Sequence, residues 1–214
     1  MSKIIVFGAS GGVGRAAVLE AASRGHEVSA VVRDASRSVP GEHTAVVVGE
    51  VADADGVAAL SAGHDAAISA IGPRAGSPPD YLLETTKTLL AGVESAGVAR
   101  LLVVGGAGSL DVAPGLRLLD TPDFHPEWKP AALAHADTLA YLQAATTSVD
   151  WLYISPAAHF DATGPRTGKY QRGKDRLLTD ADGNSHISYA DYAIALVDEI
   201  DRPAHFRQRF TVAD

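Results

Sequence analysis

Short apolar runs alternate along this chain with longer stretches of helical periodicity. Lys3 leads into Ile4, Ile5, Val6 and Phe7, stopped by Gly8, the pattern of a strand buried on both faces. From Gly12 onward Val13, Ala17 and Ala21 recur at helical spacing beside Val18 and Ala22, and Gly25 supplies the stop. Val28 to Val32 reads as a second strand ending at Arg33-Asp34, and Val46-Val47-Val48 as a third after a loop holding Pro40-Gly41. A short helix around Val57 to Leu60 precedes a fourth strand, Ala66 to Ile71. Pro78-Pro79-Asp80 opens a helix with Leu82, Leu83, Leu89, Leu90 and Val93 on one side, closed by Gly97 before the strand Leu101 to Val104. A long loop from Gly105 to about Pro130 leads to an Ala-rich helix, Ala131 to Thr146, and a strand, Trp151 to Ser155. The last stretch breaks the alternation, with Ile187-Ser188 extended, Tyr189 to Ile200 helical and Phe206 to Val212 a final strand.

Strands alternating with helices of this length predict a doubly wound α/β domain, a mainly parallel sheet covered on both faces, because right-handed crossovers place the helices there. At 214 residues, with no interdomain linker or internal repeat, the chain reads as one domain spanning 1–214. The Gly/Pro-rich stretch from Pro156 to Gly173 is expected to be a loop inside it.

Composition narrows the function. With 46% hydrophobic and 21% charged residues the chain is globular, not disordered. A net charge of −8 and the lack of any Lys/Arg run argue against nucleic acid as a partner. No apolar stretch reaches the roughly 20 residues that a membrane span needs, and Met1-Ser2-Lys3 runs straight into a strand, so a soluble cytoplasmic protein is expected. Zero Cys excludes a disulfide framework, a thiolate nucleophile and a Cys-ligated metal, and with no His-x-x-x-His or comparable pair no metal site is expected.

The chemistry begins at Gly8-Ala9-Ser10-Gly11-Gly12-Val13-Gly14, between the first strand and the first helix. Glycines there let the backbone turn tightly and approach a pyrophosphate, whose charge is stabilised by free N–H groups at the helix N-terminus. At the end of the second strand an acidic residue would hold a ribose 2′-hydroxyl, whereas an Arg accommodates a 2′-phosphate. The residue here is Arg33, followed by Asp34, with Arg15 and Arg37 as further nearby charge. NADPH is therefore favoured, with NADH also possible.

These residues, together with Arg24-Gly25-His26-Glu27-Val28, Val31-Val32-Arg33, Val104-Gly105-Gly106-Ala107-Gly108-Ser109-Leu110, Ser155-Pro156-Ala157-Ala158, Arg166-Thr167-Gly168-Lys169-Tyr170 and Ile187-Ser188-Tyr189-Ala190-Asp191-Tyr192-Ala193, carry a resemblance over nearly the whole chain. The sequence resembles the short-chain dehydrogenase/reductase superfamily, and more narrowly its atypical NADH-flavin reductase members, with biliverdin reductase B more distantly similar. The resemblance implies a Rossmann-like three-layer αβα sandwich with a nicotinamide dinucleotide across the strand C-termini. It implies that Glu50 and Val51 lie near the adenine and that Ser69, Ala70, Ile71 and Gly72 run beside the ribose and nicotinamide. Gly105, Gly106, Ala107, Pro156 and Ala157 would flank the nicotinamide.

The departure from that superfamily is chemical. Standard members carry Tyr-x-x-x-Lys on the helix after the fifth strand, whereas this one reads Leu133-Ala134-His135-Ala136-Asp137. Tyr170 and Lys174 have the spacing but lie after the sixth strand, so Tyr170 is read as at most a pocket wall. Hydride can still pass to an acceptor that needs little protonation, such as a flavin or quinone, if the two rings are held together. Ser109, just past the fifth strand, is the candidate for hydrogen-bonding an acceptor oxygen, against the alternative of a serine capping its own turn. His159 is the candidate proton donor, with His125 weaker, and Phe124 and Trp128 are either an aromatic lid or plain packing. Ser188 is expected to cap the last helix, with Asp191 bracing its start.

The sequence thus predicts an NADPH-favouring reductase of a flavin, quinone or other conjugated small molecule, with flavin as substrate rather than bound cofactor. The 105–130 and 156–186 segments would form a small substrate-binding portion of a monomer or homodimer. The alternatives are a non-catalytic NADP-sensing regulator, similar to nitrogen-metabolite-repression proteins, and a cofactor-retaining isomerase or epimerase.

Overall fold

A computed structural model describes residues 1–37, 41–74 and 76–214, so Pro40 of the loop named above lies outside the described residues. In chain order the elements are β1 (Lys3–Phe7), α1 (Gly12–Ser23), β2 (Glu27–Val32), β3 (Thr44–Val48), α2 (Ala54–Ser61), β4 (Ala66–Ser69) and α3 (Tyr81–Ser95). There follow β5 (Arg100–Val104), β6 (Asp111–Ala113), β7 (Leu116–Arg117), α4 (Lys129–Ala144), β8 (Asp150–Ser155), β9 (His159–Asp161), β10 (Gln171–Gly173), β11 (His186–Ser188), α5 (Tyr189–Asp201) and β12 (Gln208–Ala213).

Eight strands form one sheet in the order β10-β12-β8-β5-β4-β1-β2-β3, parallel throughout except where β10 runs antiparallel to β12 at the edge. Alternation along each strand divides the core. Ile4 and Val6 pack with α1 and α5, through Ala17, Val18, Tyr192 and Ala195, while Ile5 and Phe7 pack with α2, α3 and α4 through Val57, Leu89, Val93 and Leu142. This is the expected Rossmann-like three-layer α/β sandwich. The expected helix stops also hold, since Gly25 and Gly97 sit at φ +82° and +72°, where other residues are strained.

Several expectations change: the Ala-rich helix runs Lys129–Ala144 rather than to Thr146, and the last strand begins at Gln208 rather than Phe206. The fourth strand ends at Ser69, not Ile71; the Ala70 N–H still reaches the Phe7 carbonyl at 2.9 Å, but the chain beyond it leaves the sheet. The segment expected as one long loop, 105–130, contains the β6–β7 hairpin and two single turns of 3-10 helix, Leu118–Asp120 and Pro126–Trp128. Pro114-Gly115 is a turn signal, with Gly115 at φ +73°, and the fully buried Leu119 pins the returning strand. The Pro156–Gly173 stretch likewise holds β9, paired with β11, and β10.

That stretch is tied down by charge. The side chain of Asp191, fully buried, accepts hydrogen bonds from the N–H groups of Thr167 and Gly168 and from the Thr167 hydroxyl. Arg166 pairs with Glu20 of α1 at 3.0 Å, and Arg24 joins Glu20 to Asp198 and Asp201 of α5. Ser188 caps α5 by accepting from the Asp191 N–H at 3.0 Å, as expected.

Candidate functional site

Strand order reverses between β1 and β4, which is where open α/β sheets leave a crevice at the strand C-termini. A cavity of about 430 Å³ occupies that place. Phe7, Gly8, Ser10 and Gly11 come from the β1–α1 turn, Val31, Val32, Arg33 and Arg37 from the end of β2, and Gly49 to Ala52 from the segment after β3. Ala70 to Arg74 follow β4, and Tyr81 opens α3.

Two positions of this turn admit only glycine. Gly8 sits at φ +79°, and a Cβ there would lie 2.6 Å from the Ala70 carbonyl oxygen. A Cβ at Gly14 would lie 2.2 Å from the carbonyl oxygen of Gly8. The first bond of α1 runs from the Arg15 N–H to the Gly11 carbonyl at 2.8 Å, and the helix start has neither a side-chain cap nor an acidic residue in its first turn. Among the described residues the Gly12, Val13 and Gly14 N–H groups have no hydrogen-bond acceptor, so they can meet an anion beside the cavity, and these residues fit the pyrophosphate of a dinucleotide.

Arg33, Arg37 and Arg74 are all exposed and line the mouth. Asp34 does not line it: its carboxylate accepts the Ser36 N–H at 2.9 Å, and the hydrogen bonds from Ser36 hold its pKa below the ordinary carboxylate value. Asp34 is turned onto its own loop and away from the cleft. Arg15, expected to add charge, is exposed on α1 and is not among the lining residues.

Of the residues picked from sequence, Gly8, Ser10, Gly11, Arg33, Glu50, Val51, Ala70, Ile71 and Gly72 line this cavity. Gly12, Val13 and Gly14 form the first turn of α1, and Ser69 is buried at the end of β4. Gly105, Gly106 and Ala107 follow β5, and Pro156 and Ala157 follow β8; these five lie outside the lining. Sequence reasoning missed Arg74 and Tyr81. Arg74 had a signal, a basic residue a few positions past a strand that ends at the cleft, the same logic that picked out Arg33.

Beyond β5 the loop is fixed by a tyrosine and a histidine. A Cβ on Gly105 would strike the Tyr153 ring at 2.3 Å, and one on Gly106 would meet His135 at 2.9 Å. The Tyr153 hydroxyl accepts from the Gly106 N–H at 3.1 Å and donates to the His135 carbonyl at 3.0 Å; burial pushes its pKa up. Burial pushes the His135 imidazole down to about 4, so it is neutral near pH 7. Tyr170 is no acid either: its hydroxyl donates to Asp198 at 2.6 Å and accepts from Arg172, and burial raises it to about 12. It does not wall the cavity.

Ser109 does not cap its own turn. That turn closes through the Leu110 N–H to the Ala107 carbonyl at 2.9 Å, and the Ser109 Oγ accepts from Arg209 Nη1 at 2.9 Å. His159 is exposed on β9 with its ring edge-on to His186 at 5.1 Å. His125 tilts over Trp128 at 5.1 Å, and Trp128 is 63% exposed, so plain packing does not account for that indole.

A phosphate-ready glycine turn at the reversal point of a parallel sheet, with arginines at its mouth, defines a dinucleotide-binding α/β protein. A family model described as NAD(P)H-binding matches residues 8–203, and the chain belongs to that family. It is 44% identical over 212 residues to YwnB of Bacillus subtilis (strain 168), covering 98% of this chain and 97% of that protein. A solved structure from Bacteroides thetaiotaomicron, proposed to be an epimerase, shares 42% identity at TM-score 0.90 over 99% of this chain and 96% of that one. A structure from Streptococcus pneumoniae, proposed to be an NADH-flavin reductase, shares 36% identity at TM-score 0.88 over the full length of both chains.

Proposed function

We propose that this protein is a cytoplasmic NADPH-dependent reductase that passes hydride to a flavin, quinone or other conjugated small molecule. The observation that carries the reading is the cleft itself, in which the glycine turn and the open N-terminus of α1 lie beside Arg33, Arg37 and Arg74. Two phosphate-bearing regions of one ligand, a pyrophosphate and a 2′-phosphate, match those two positive regions. When bound, the nicotinamide supplies the hydride. The chain supplies placement, since the Tyr153 and Tyr170 hydroxyls are both engaged in hydrogen bonds and neither is free to protonate a carbonyl. The acceptors that suit such a site are those whose reduced form takes its proton from solvent.

In this reading the 105–130 and 156–186 segments form the acceptor-binding portion, with Ser109 and His159 orienting the acceptor and Trp128 beside it. The name of the pneumococcal relative points the same way. The test follows loss of reduced-nicotinamide absorbance, NADPH and NADH in parallel, against FMN, riboflavin, simple quinones and an enone. Saturable turnover that prefers NADPH is expected. Binding of NADPH with no oxidation by any of them would overturn the reductase and leave a sensor that binds the dinucleotide without consuming it.

A further inference from the structure

Arg209 of β12 is nearly buried, with its side chain 8% exposed, and each nitrogen of its guanidinium faces a partner. Nε donates to Asp175 at 2.9 Å and Nη2 lies 2.7 Å from the same oxygen, while Nη1 donates to both the Oγ and the carbonyl of Ser109, at 2.9 and 3.1 Å. A serine hydroxyl has two acceptor sites and one proton. With a cationic donor on Oγ, the proton must point away from the guanidinium, and among the described residues it meets no protein acceptor. Ser109 is half-buried two residues past Gly105–Ala107, so that proton is presented beside the loop that Tyr153 and His135 hold in place.

We propose that Arg209 is a positioning residue that makes Ser109 a dedicated hydrogen-bond donor to an acceptor bearing an electron-rich carbonyl oxygen or ring nitrogen, the chemistry of an isoalloxazine or a quinone. This rests on the reductase reading above. Donation from a charged group onto Oγ polarises the hydroxyl and strengthens the bond it makes in turn. The charge of Arg209 also reaches Tyr153, against whose hydroxyl the Gly106 N–H is held. Asp175 offers a control: it is 58% exposed and pairs with the same guanidinium, and among the described residues no hydrogen bond joins it to Ser109.

The experiment is an equilibrium titration of riboflavin and of 1,4-naphthoquinone into the protein saturated with NADP+, where no turnover occurs. It compares the wild type with Ser109→Ala, Arg209→Gln, Arg209→Lys, Asp175→Asn and the Ser109→Ala/Arg209→Gln double variant. Ser109→Ala and Arg209→Gln should each weaken ring binding about tenfold, and the double variant no more than the larger single one, because Arg209 acts only through the hydrogen bond that Ser109 makes. Arg209→Lys should recover most of the loss, Asp175→Asn should stay near wild type, and NADP+ affinity should hold in all. Wild-type ring binding by Arg209→Gln, additive losses in the double variant, or an equal loss of NADP+ affinity would overturn the proposal alone. Should Arg209→Gln not fold, Arg209→Lys against Ser109→Ala decides: binding by the lysine variant as weak as that of the alanine variant overturns it. If the wild type binds neither ring, the acceptor reading falls with it.

Discussion

Gly14 leaves only 2.2 Å between the place of a Cβ and the carbonyl oxygen of Gly8, so Gly14→Ala forces the loop apart rather than a side chain. The expected cost is about 1–3 kcal/mol of stability, with a clear loss of NADPH affinity, read by thermal melt and by cofactor fluorescence. Arg33 and Arg74 predict selectivity instead. Each contact from a guanidinium to a 2′-phosphate is worth about 1.5–3 kcal/mol, so Arg33→Ala or Arg74→Ala should weaken NADPH roughly tenfold to a hundredfold and leave NADH nearly unchanged. Equal losses for both dinucleotides in a binding titration would remove these residues from the 2′-phosphate. Arg33 was legible because its position after a strand has a known physical use; the orientation of Asp34 beside it was not, because only the folded loop shows its carboxylate on the Ser36 N–H.

Among the elements, α5 concentrates the ties that hold the C-terminal third. Its cap is a single hydrogen bond from the Asp191 N–H to the Ser188 hydroxyl, so Ser188→Ala should cost about 1 kcal/mol and lower Tm by roughly 2–4 °C. Glu199 matters more. Its carboxylate, 0% exposed, accepts from Arg100 of β5 at 2.9 Å, from the Ala204 and His205 N–H groups and from the His205 ring at 2.6 Å. Glu199→Ala takes the carboxylate from the Arg100 guanidinium, leaving it the His205 carbonyl and the Phe206 ring, and should destabilise by about 3–5 kcal/mol in urea unfolding. The cap was readable from Ser188 at the head of a helical period. The pair was not, because its partners lie 99 residues apart and nothing local marks them.

At the scale of the whole molecule, two histidines in opposite environments contribute to the pH dependence of stability, beside carboxylates such as Asp161 that hydrogen bonds lower to about 2. His135 is lowered to about 4 by burial, so the unfolded chain takes up a proton below about 6.5 that the folded protein refuses, and stability falls as pH drops through that window. His186 is raised by Asp214 and Asp161; its contribution is complete below its unfolded pKa and fades as pH rises through the folded one. His135→Gln should therefore lose less stability than wild type between pH 7 and pH 4, by up to about 3 kcal/mol in denaturant titrations. Identical slopes would rule out His135 as the acid-sensitive group.

By itself the sequence determined the alternation of strands and helices, the three-layer class and the glycine turn, because each rests on local periodicity or on a backbone only glycine can adopt. It also picked out nine of the residues that line the cleft, since those sit at fixed offsets from strand ends. The tertiary structure decided which groups are spoken for. That Ser109 answers to Arg209, that Tyr153 holds Gly106, and that Tyr170 is claimed by Asp198 are contacts between distant segments, made only when the sheet and its covering helices bring them together.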